Sequence, residues 1–160
     1  MKTRDKIVSL DSLILRLPGL RQGGRTLALA NGVFDLLHVG HLRYLQGAKA
    51  FADTLIVAVN SDVSTRLNKG PDRPLVPENE RAELVAALSC TDFVVLFDQR
   101  DVRPLIAALH PDFHVKGTDY TPETIPERSD VEAYGGRSVI AGDPKDHSTS
   151  AVLQKLRGRP

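Results

Sequence analysis

Five short apolar runs divide the chain at near-regular intervals: TLALAN (26–31), TLIVAVN (54–60), DFVVLF (92–97), DFHVKG (112–117) and RSVIAG (137–142). Between them, apolar residues recur at helical spacing, as in ENERAELVAALS (78–89) and DVRPLIAALH (101–110). A strand, helix, strand order of this kind predicts an α/β fold, with a parallel sheet joined by right-handed crossovers. The β-branched density of TLIVAVN suits a strand covered on both faces. Further helices are predicted from Ser9, where Pro18-Gly19 forms the stop, over 40–51, from Asp62, and over 148–157. Residues 68–77, NKGPDRPLVP, read as a loop, and residues 119–130 are turn-rich.

The 160 residues fit one domain, 1–160, in which 1–25 is a helical lead-in. A net charge of +1 gives no global field toward nucleic acid or an anionic membrane, so any basic site is local. No apolar stretch reaches the length of a membrane span. The N-terminus carries Asp5 and Asp11 and no cleavage site, so it reads as a helix and not a signal peptide. The single cysteine, Cys90, has no intrachain partner and reads as a small buried residue; a cytoplasmic location is the expectation.

In a parallel α/β sheet the chemistry sits at the carboxyl ends of the strands. The segments there are 31–41, 60–62, 116–120 and 142–150. The first, NGVFDLLHVGH, carries His38 and His41 at i and i+3, which puts both rings on one side of a helix entrance. Gly40 between them leaves room for an anion to approach the backbone. The helix N-terminus adds N–H groups and the positive dipole end, so the combination suits phosphate. Two histidines packed at a helix start are the simpler alternative. Metal binding is weaker, because no cysteine or third histidine completes a zinc set. Lys69 and Arg73, in the basic loop, read either as solvated cations or as contacts for phosphate. HSTSAV places Ser148, Thr149 and Ser150 at a helix start, where capping and phosphate binding can coexist. His110 and His114 read as structural.

GVFDLLHVGH fills every fixed place of the HxGH signature of the cytidylyltransferase-like nucleotidyltransferases, G-[TCV]-F-D-x-[LI]-H-x-G-H. RYLQGAK, LIVAVNSD, KGPDRPLVPENERAELVAALSCTDFVV and VKGTDYTPE resemble the adenylyltransferase domain of the ADP-heptose synthases, and the resemblance spans nearly the whole chain. It implies a Rossmann-like three-layer sandwich on a five-stranded, mostly parallel sheet. It implies transfer of AMP from ATP to a sugar 1-phosphate, D-glycero-D-manno-heptose 1-phosphate, with release of pyrophosphate. The alternatives are a cytidylyltransferase acting on glycerol 3-phosphate or a related alditol phosphate, and a non-catalytic nucleotide-binding module. Many relatives carry the domain behind a sugar kinase; a chain this short is expected to be the stand-alone form.

Carried onto this sequence, the resemblance makes His38, His41 and Lys69 catalytic. It puts Gly32, Val33, Phe34, Gly40, Lys116, Gly117, Asp119 and Ser148–Ser150 beside the nucleotide, and Asp35, Asp62 and Arg73 on the acceptor side. Asp35 has three possible roles: orienting a histidine, touching the sugar, or holding Mg²⁺ through water. Starting a turn is its simpler reading. For Asp62, capping the helix is an equal alternative. Where relatives carry a Gly-Tyr or Gly-Ile pair before the serine, this chain has AGDPKDH, with Lys145 and His147 as possible substitutes. Mg²⁺ is expected because ATP carries it. The family also implies a homodimer, with the nucleotide and sugar phosphate as small-molecule partners and neither nucleic acid nor membrane.

Overall fold

The computed structural model describes residues 2–144. Strands β1 (Leu27–Gly32), β2 (Thr54–Asn60), β3 (Phe93–Phe97), β4 (Phe113–Lys116) and β5 (Arg137–Ile140) form one sheet in the order β3-β2-β1-β4-β5. All four pairings are parallel, so the sheet is more uniform than the mostly parallel one expected. The architecture is a Rossmann-like α/β fold.

Two helices cover one face: α2 (Val39–Lys49) and α4 (Glu78–Ala87). The other face carries α1 (Leu10–Leu20), α5 (Arg103–Leu109) and α6 (Arg128–Glu132); α3 (Asp62–Lys69) follows β2. Side chains alternate across a strand, and β2 divides accordingly. Leu55, Val57 and Val59 join Leu45, Ala48, Val85 and Ala86. Ile56 and Ala58 join Leu13, Leu105, Ile106 and Val131. Every residue of β2 is buried, which explains its β-branched, near-continuous apolar sequence.

Helix α1 corrects the expected stop. Ser9 caps it as predicted, its Oγ accepting the Ser12 N–H at 3.2 Å. The helix nevertheless runs through Pro18 to Leu20, and the Arg21 N–H closes on the Leu17 carbonyl at 3.0 Å. Leu17 and Leu20, three apart, both pack on the α5-side core, so one more turn buries an extra side chain. Ahead of α1, the Val8 N–H bonds the Val94 carbonyl at 2.9 Å and Ile7 bridges Val94. The lead-in thereby covers the β3 edge of the sheet.

Helix α3 starts one residue earlier than a cap at Asp62 would require. Ser61 is the cap, its Oγ accepting the Ser64 N–H at 3.1 Å, and Asp62 is the first helical residue. Lys69, placed in the loop by composition, closes α3; Gly70 at φ 95° ends it, a backbone that suits glycine. The turn-rich 119–130 segment contains a 3₁₀ turn, Pro122–Thr124, and leads into α6. The helix expected over 148–157 lies outside the described residues.

The chain builds β1, β2 and β3 outward in one direction and then crosses back to β4 and β5 on the other side of β1. The order reverses between β1 and β4, and in sheets of this kind the crevice outside that point is where ligands bind.

Candidate active site

A cavity of about 610 Å³ opens at that point. It is lined from the carboxyl ends of all five strands, through Asn31, Asn60, Phe97, Lys116 and Ala141 among others. The segments picked out after the strands therefore share one edge of the sheet, as far as the described residues run.

His38 is the N-cap of α2. Its Nδ1 accepts the Gly40 N–H at 3.1 Å, in the place a serine or aspartate oxygen usually fills. With Nδ1 accepting, the neutral ring carries its proton on Nε2. One turn on, the His41 ring stacks on it, centroids 3.9 Å apart at 25°. Below His41 lies Phe34, edge-on at 5.3 Å and itself stacked near Tyr44. Phe34 takes φ 51°, a left-handed backbone rare for a bulky side chain, and that turn carries its ring under the histidines. Gly32 makes room for it: a Cβ there would lie 3.1 Å from the Phe34 ring. Both histidines line the cavity.

Burial and the adjacent His38 pull the His41 pKa down to about 4, against an opposing backbone contact at Leu36. Two stacked imidazoles disfavour a double positive charge, so the free site holds His41 neutral at pH 7. An anion between or beside the rings reverses that balance.

Asp35 is 3% exposed and both its oxygens are engaged. Oδ1 accepts the N–H groups of Leu75 and Val76 at 2.8 and 2.9 Å, and Oδ2 accepts from Arg73 Nε at 2.6 Å. The carboxylate thus anchors the 73–76 loop over the cavity and holds the Arg73 guanidinium at its wall. Among the described residues no group of three His, Cys, Asp or Glu side chains converges to hold a metal. With both oxygens committed to the loop, the Asp35 carboxylate is not free to hold Mg²⁺.

Gly40, Val33, Lys69, Gly117 and Asp119 also line the cavity. Asp62 does not. It pairs at 2.8 Å with Arg81, and its N–H donates to Glu78 at 2.6 Å. Ser148, Thr149 and Ser150, with Lys145 and His147, lie outside the described residues.

Arg81 escaped the sequence reading and is the largest fully buried side chain among the described residues. Besides Asp62, it donates to the carbonyls of Val33, Asn60 and Val76. It ties the β1–α2 loop, the end of β2 and the 73–76 loop together behind the cavity. The sequence held one signal for it: an arginine beside Ala82 and four before Val85, on the apolar stripe of α4. Asn31, Thr118 and Glu127 were also missed. Asn31 Oδ1 sits 3.2 Å from His114 Nε2 and 3.3 Å from Lys116 Nζ. Thr118 Oγ1 donates to the Asp143 carbonyl at 2.7 Å, clasping the loops after β4 and β5.

His114 is wholly buried, and desolvation, aided by the nearby Lys116, lowers its pKa to about 3. Both histidines therefore have folded pKa values below their ordinary 6.5. Between those limits the unfolded chain binds more protons, so acid favours unfolding. The stabilisation is complete above about pH 6.5 and is lost as pH falls toward 4 and then 3. We expect urea-unfolding stability to drop from pH 6.5 to 4.5 by up to about 1.4 kcal/mol per pH unit for each histidine. His114→Gln should remove one share of that slope. A stability flat across the window would contradict the buried, neutral state of both rings.

Residues 29–154 match the family profile described as Cytidylyltransferase-like. The bifunctional protein HldE of Geotalea uraniireducens is 47% identical over 152 residues, covering 95% of this chain and 31% of the relative. HldE of Syntrophotalea carbinolica is 48% identical over 139 residues, 87% of this chain and 28% of the relative. The chain thus spans under a third of the length of these curated relatives. Among solved structures, the lipopolysaccharide core biosynthesis protein from Thermoplasma volcanium GSS1 superposes with a TM-score of 0.65 at 31% identity, covering 76% of this chain and 100% of that one.

Proposed function

Because the chain belongs to the cytidylyltransferase-like family, we propose that it transfers AMP from ATP to a sugar 1-phosphate, D-glycero-D-manno-heptose 1-phosphate, giving ADP-heptose and pyrophosphate. The observation that carries this reading is the stacked His38–His41 pair at the N-terminus of α2, facing a cavity at the switch point of the sheet. Relatives named HldE, at 47% and 48% identity, and a lipopolysaccharide core biosynthesis protein of the same fold support the heptose acceptor.

An anionic oxygen of the sugar phosphate attacks the α-phosphorus of ATP and forms a new P–O bond. The bond from that phosphorus to the oxygen bridging the β-phosphate breaks, and pyrophosphate leaves with the electron pair. A phosphate monoester has its second pKa near about 6, so the nucleophile is already ionised at neutral pH and needs no general base. The protein supplies position and positive potential, since a polyanion attacks a polyanion. His38 donates from Nε2, and His41, neutral in the free site, gains its proton as the triphosphate arrives. The dipole of α2 adds to both. Arg73, steadied by Asp35, and Lys69 at the end of α3 neutralise the acceptor phosphate and the departing pyrophosphate. Gly32, Val33, Phe34 and Gly40 give the triphosphate close approach to the backbone. Lys116, Gly117 and Asp119 border the nucleotide, and Ser148–Ser150, which lie outside the described residues, are assigned to it by the family resemblance. Asp62 acts at one remove, through Arg81. Mg²⁺ arrives as the ion ATP carries.

The test is pyrophosphate release from ATP or CTP with heptose 1-phosphate or glycerol 3-phosphate, the product identified by mass. ATP with heptose 1-phosphate should be the productive pair. Nucleotide binding without pyrophosphate from any acceptor would make the protein a binding module. None of the described helices is long and apolar enough to cross a membrane; we place the enzyme in the cytoplasm. We also take it to be a homodimer, which sedimentation equilibrium would show as twice the chain mass.

A further inference from the structure

We propose that Asn31 contacts a substrate through its side-chain amide N–H groups, and that His114, which touches no substrate, is the positioning residue that holds this amide with its donor toward the cavity. The assignment rests on the transferase reading above. Asn31 stands just before Gly32 at the carboxyl end of β1, the central strand, and lines the cavity. By strand alternation its side chain leaves the sheet on the face of Leu27 and Leu29. The neighbouring β4 presents His114 and Lys116 there.

Two groups converge on one atom. Asn31 Oδ1 lies 3.2 Å from His114 Nε2 and 3.3 Å from Lys116 Nζ. An ammonium only donates, so the atom it faces is the amide oxygen, and His114 must meet that oxygen with an Nε2–H. The ring is wholly buried and, with its pKa lowered to about 3, neutral, so this is its only ring proton. Nδ1 is left as an acceptor with no partner among the described residues. The Ser138 hydroxyl, in register with His114 on β5 and also without a partner, is the donor at hand.

With the oxygen pinned from the β4 side, the amide nitrogen turns the other way. Nδ2 makes no hydrogen bond among the described residues and is open to the cavity. The terminal torsion of an asparagine is soft, so an unpinned amide would turn over and offer the cavity its oxygen as readily as its nitrogen. The imidazole removes that freedom before any ligand arrives, and a donor already oriented costs less to engage. What it fits is a substrate oxygen that accepts and need not donate. Both substrates carry such oxygens on their phosphates, and the two KM values tell which one supplies it.

The experiment has a spectroscopic arm and a kinetic arm. Imidazole nitrogen NMR of isotope-labelled wild type should show His114 as the Nε2–H tautomer at neutral pH, its signals assigned by their loss in His114→Gln. The Nδ1–H tautomer would overturn the proposal. KM for ATP and for heptose 1-phosphate is then measured in Asn31→Ala, Asn31→Asp, His114→Leu, His114→Gln and the double variant Asn31→Ala with His114→Leu. Asn31→Ala should raise one of the two KM values about tenfold. Asn31→Asp, which keeps an oxygen for His114 and Lys116 but loses both cavity donors, should raise the same one at least as far. His114→Leu should raise that KM too, and His114→Gln, which offers an N–H at the same reach, should recover most of the loss. The double variant should be little worse than Asn31→Ala alone, because the histidine acts through the asparagine. Losses that add in full would make His114 merely structural and overturn the positioning role. Should His114→Leu fail to fold, the tautomer and the Asn31 variants decide. A wild type inactive with every sugar phosphate refutes the transferase reading itself, whereas an active wild type with both KM values unmoved in the Asn31 variants refutes this assignment only.

Discussion

His38→Ala and His41→Ala should each lower kcat by about 10²–10³-fold, the loss of roughly 3–4 kcal/mol that follows removal of one preorganised donor to a developing charge. KM for ATP should move less, because the rings matter most as negative charge shifts on the phosphorus. The two losses should not add. The rings stack at 3.9 Å, and His38 helps to hold the pKa of His41 down. Removing His38 also uncaps α2, so its variant should lose some stability that the His41 variant keeps. A second signature is protonic. His41 has its pKa near 4 in the free protein, and a bound triphosphate raises it. ATP binding near pH 6 should therefore take up protons, seen as a calorimetric enthalpy that varies with buffer ionisation heat. Single alanine variants retaining wild-type kcat would defeat the mechanism outright.

Arg81→Met should cost about 3–5 kcal/mol of folding stability, the range for breaking a buried ionic cluster from one side. Methionine fills much of the volume but donates nothing. The carbonyls of Val33, Asn60 and Val76 lose their donor, and Asp62 loses its cation. The variant should also impair turnover at temperatures where it stays folded, because Val33 leads into the histidine turn and Val76 belongs to the loop anchored by Asp35. Urea unfolding and kcat at low temperature measure the two effects. A stability loss below about 1 kcal/mol would show that water takes over the donor role. Arg81→Lys should recover little, since one ammonium does not span four acceptors fixed in a fork.

Much of this molecule is readable in one dimension. The five apolar runs define the strands, and the parallel order follows from the helices between them, because parallel neighbours require crossovers. The histidine spacing of three suits two rings on one side of a helix entrance, and the rings do stack there, with His38 as the extended cap residue of α2 and His41 in its first turn. Ser9 as a cap and the fully buried β2 were equally local, and both stand as read.

What local pattern did not contain was who meets whom across the sheet. Asp35 looks like an acceptor-side or metal-side carboxylate in the sequence, yet its oxygens are taken by a loop 38 to 41 residues away. Asp62 looks like a cap, but Ser61 holds that place and Asp62 turns to Arg81. Glu127 lies in a stretch with no periodicity at all and ends up buried beside Lys116. Sequence by itself determined the strands, most of the helices and the histidine turn at the head of α2, because these depend on neighbours within one helical turn or one strand. Tertiary structure alone decided which charges anchor loops and which still face the cavity, because a buried charge takes its partner from whatever the fold brings within hydrogen-bonding reach.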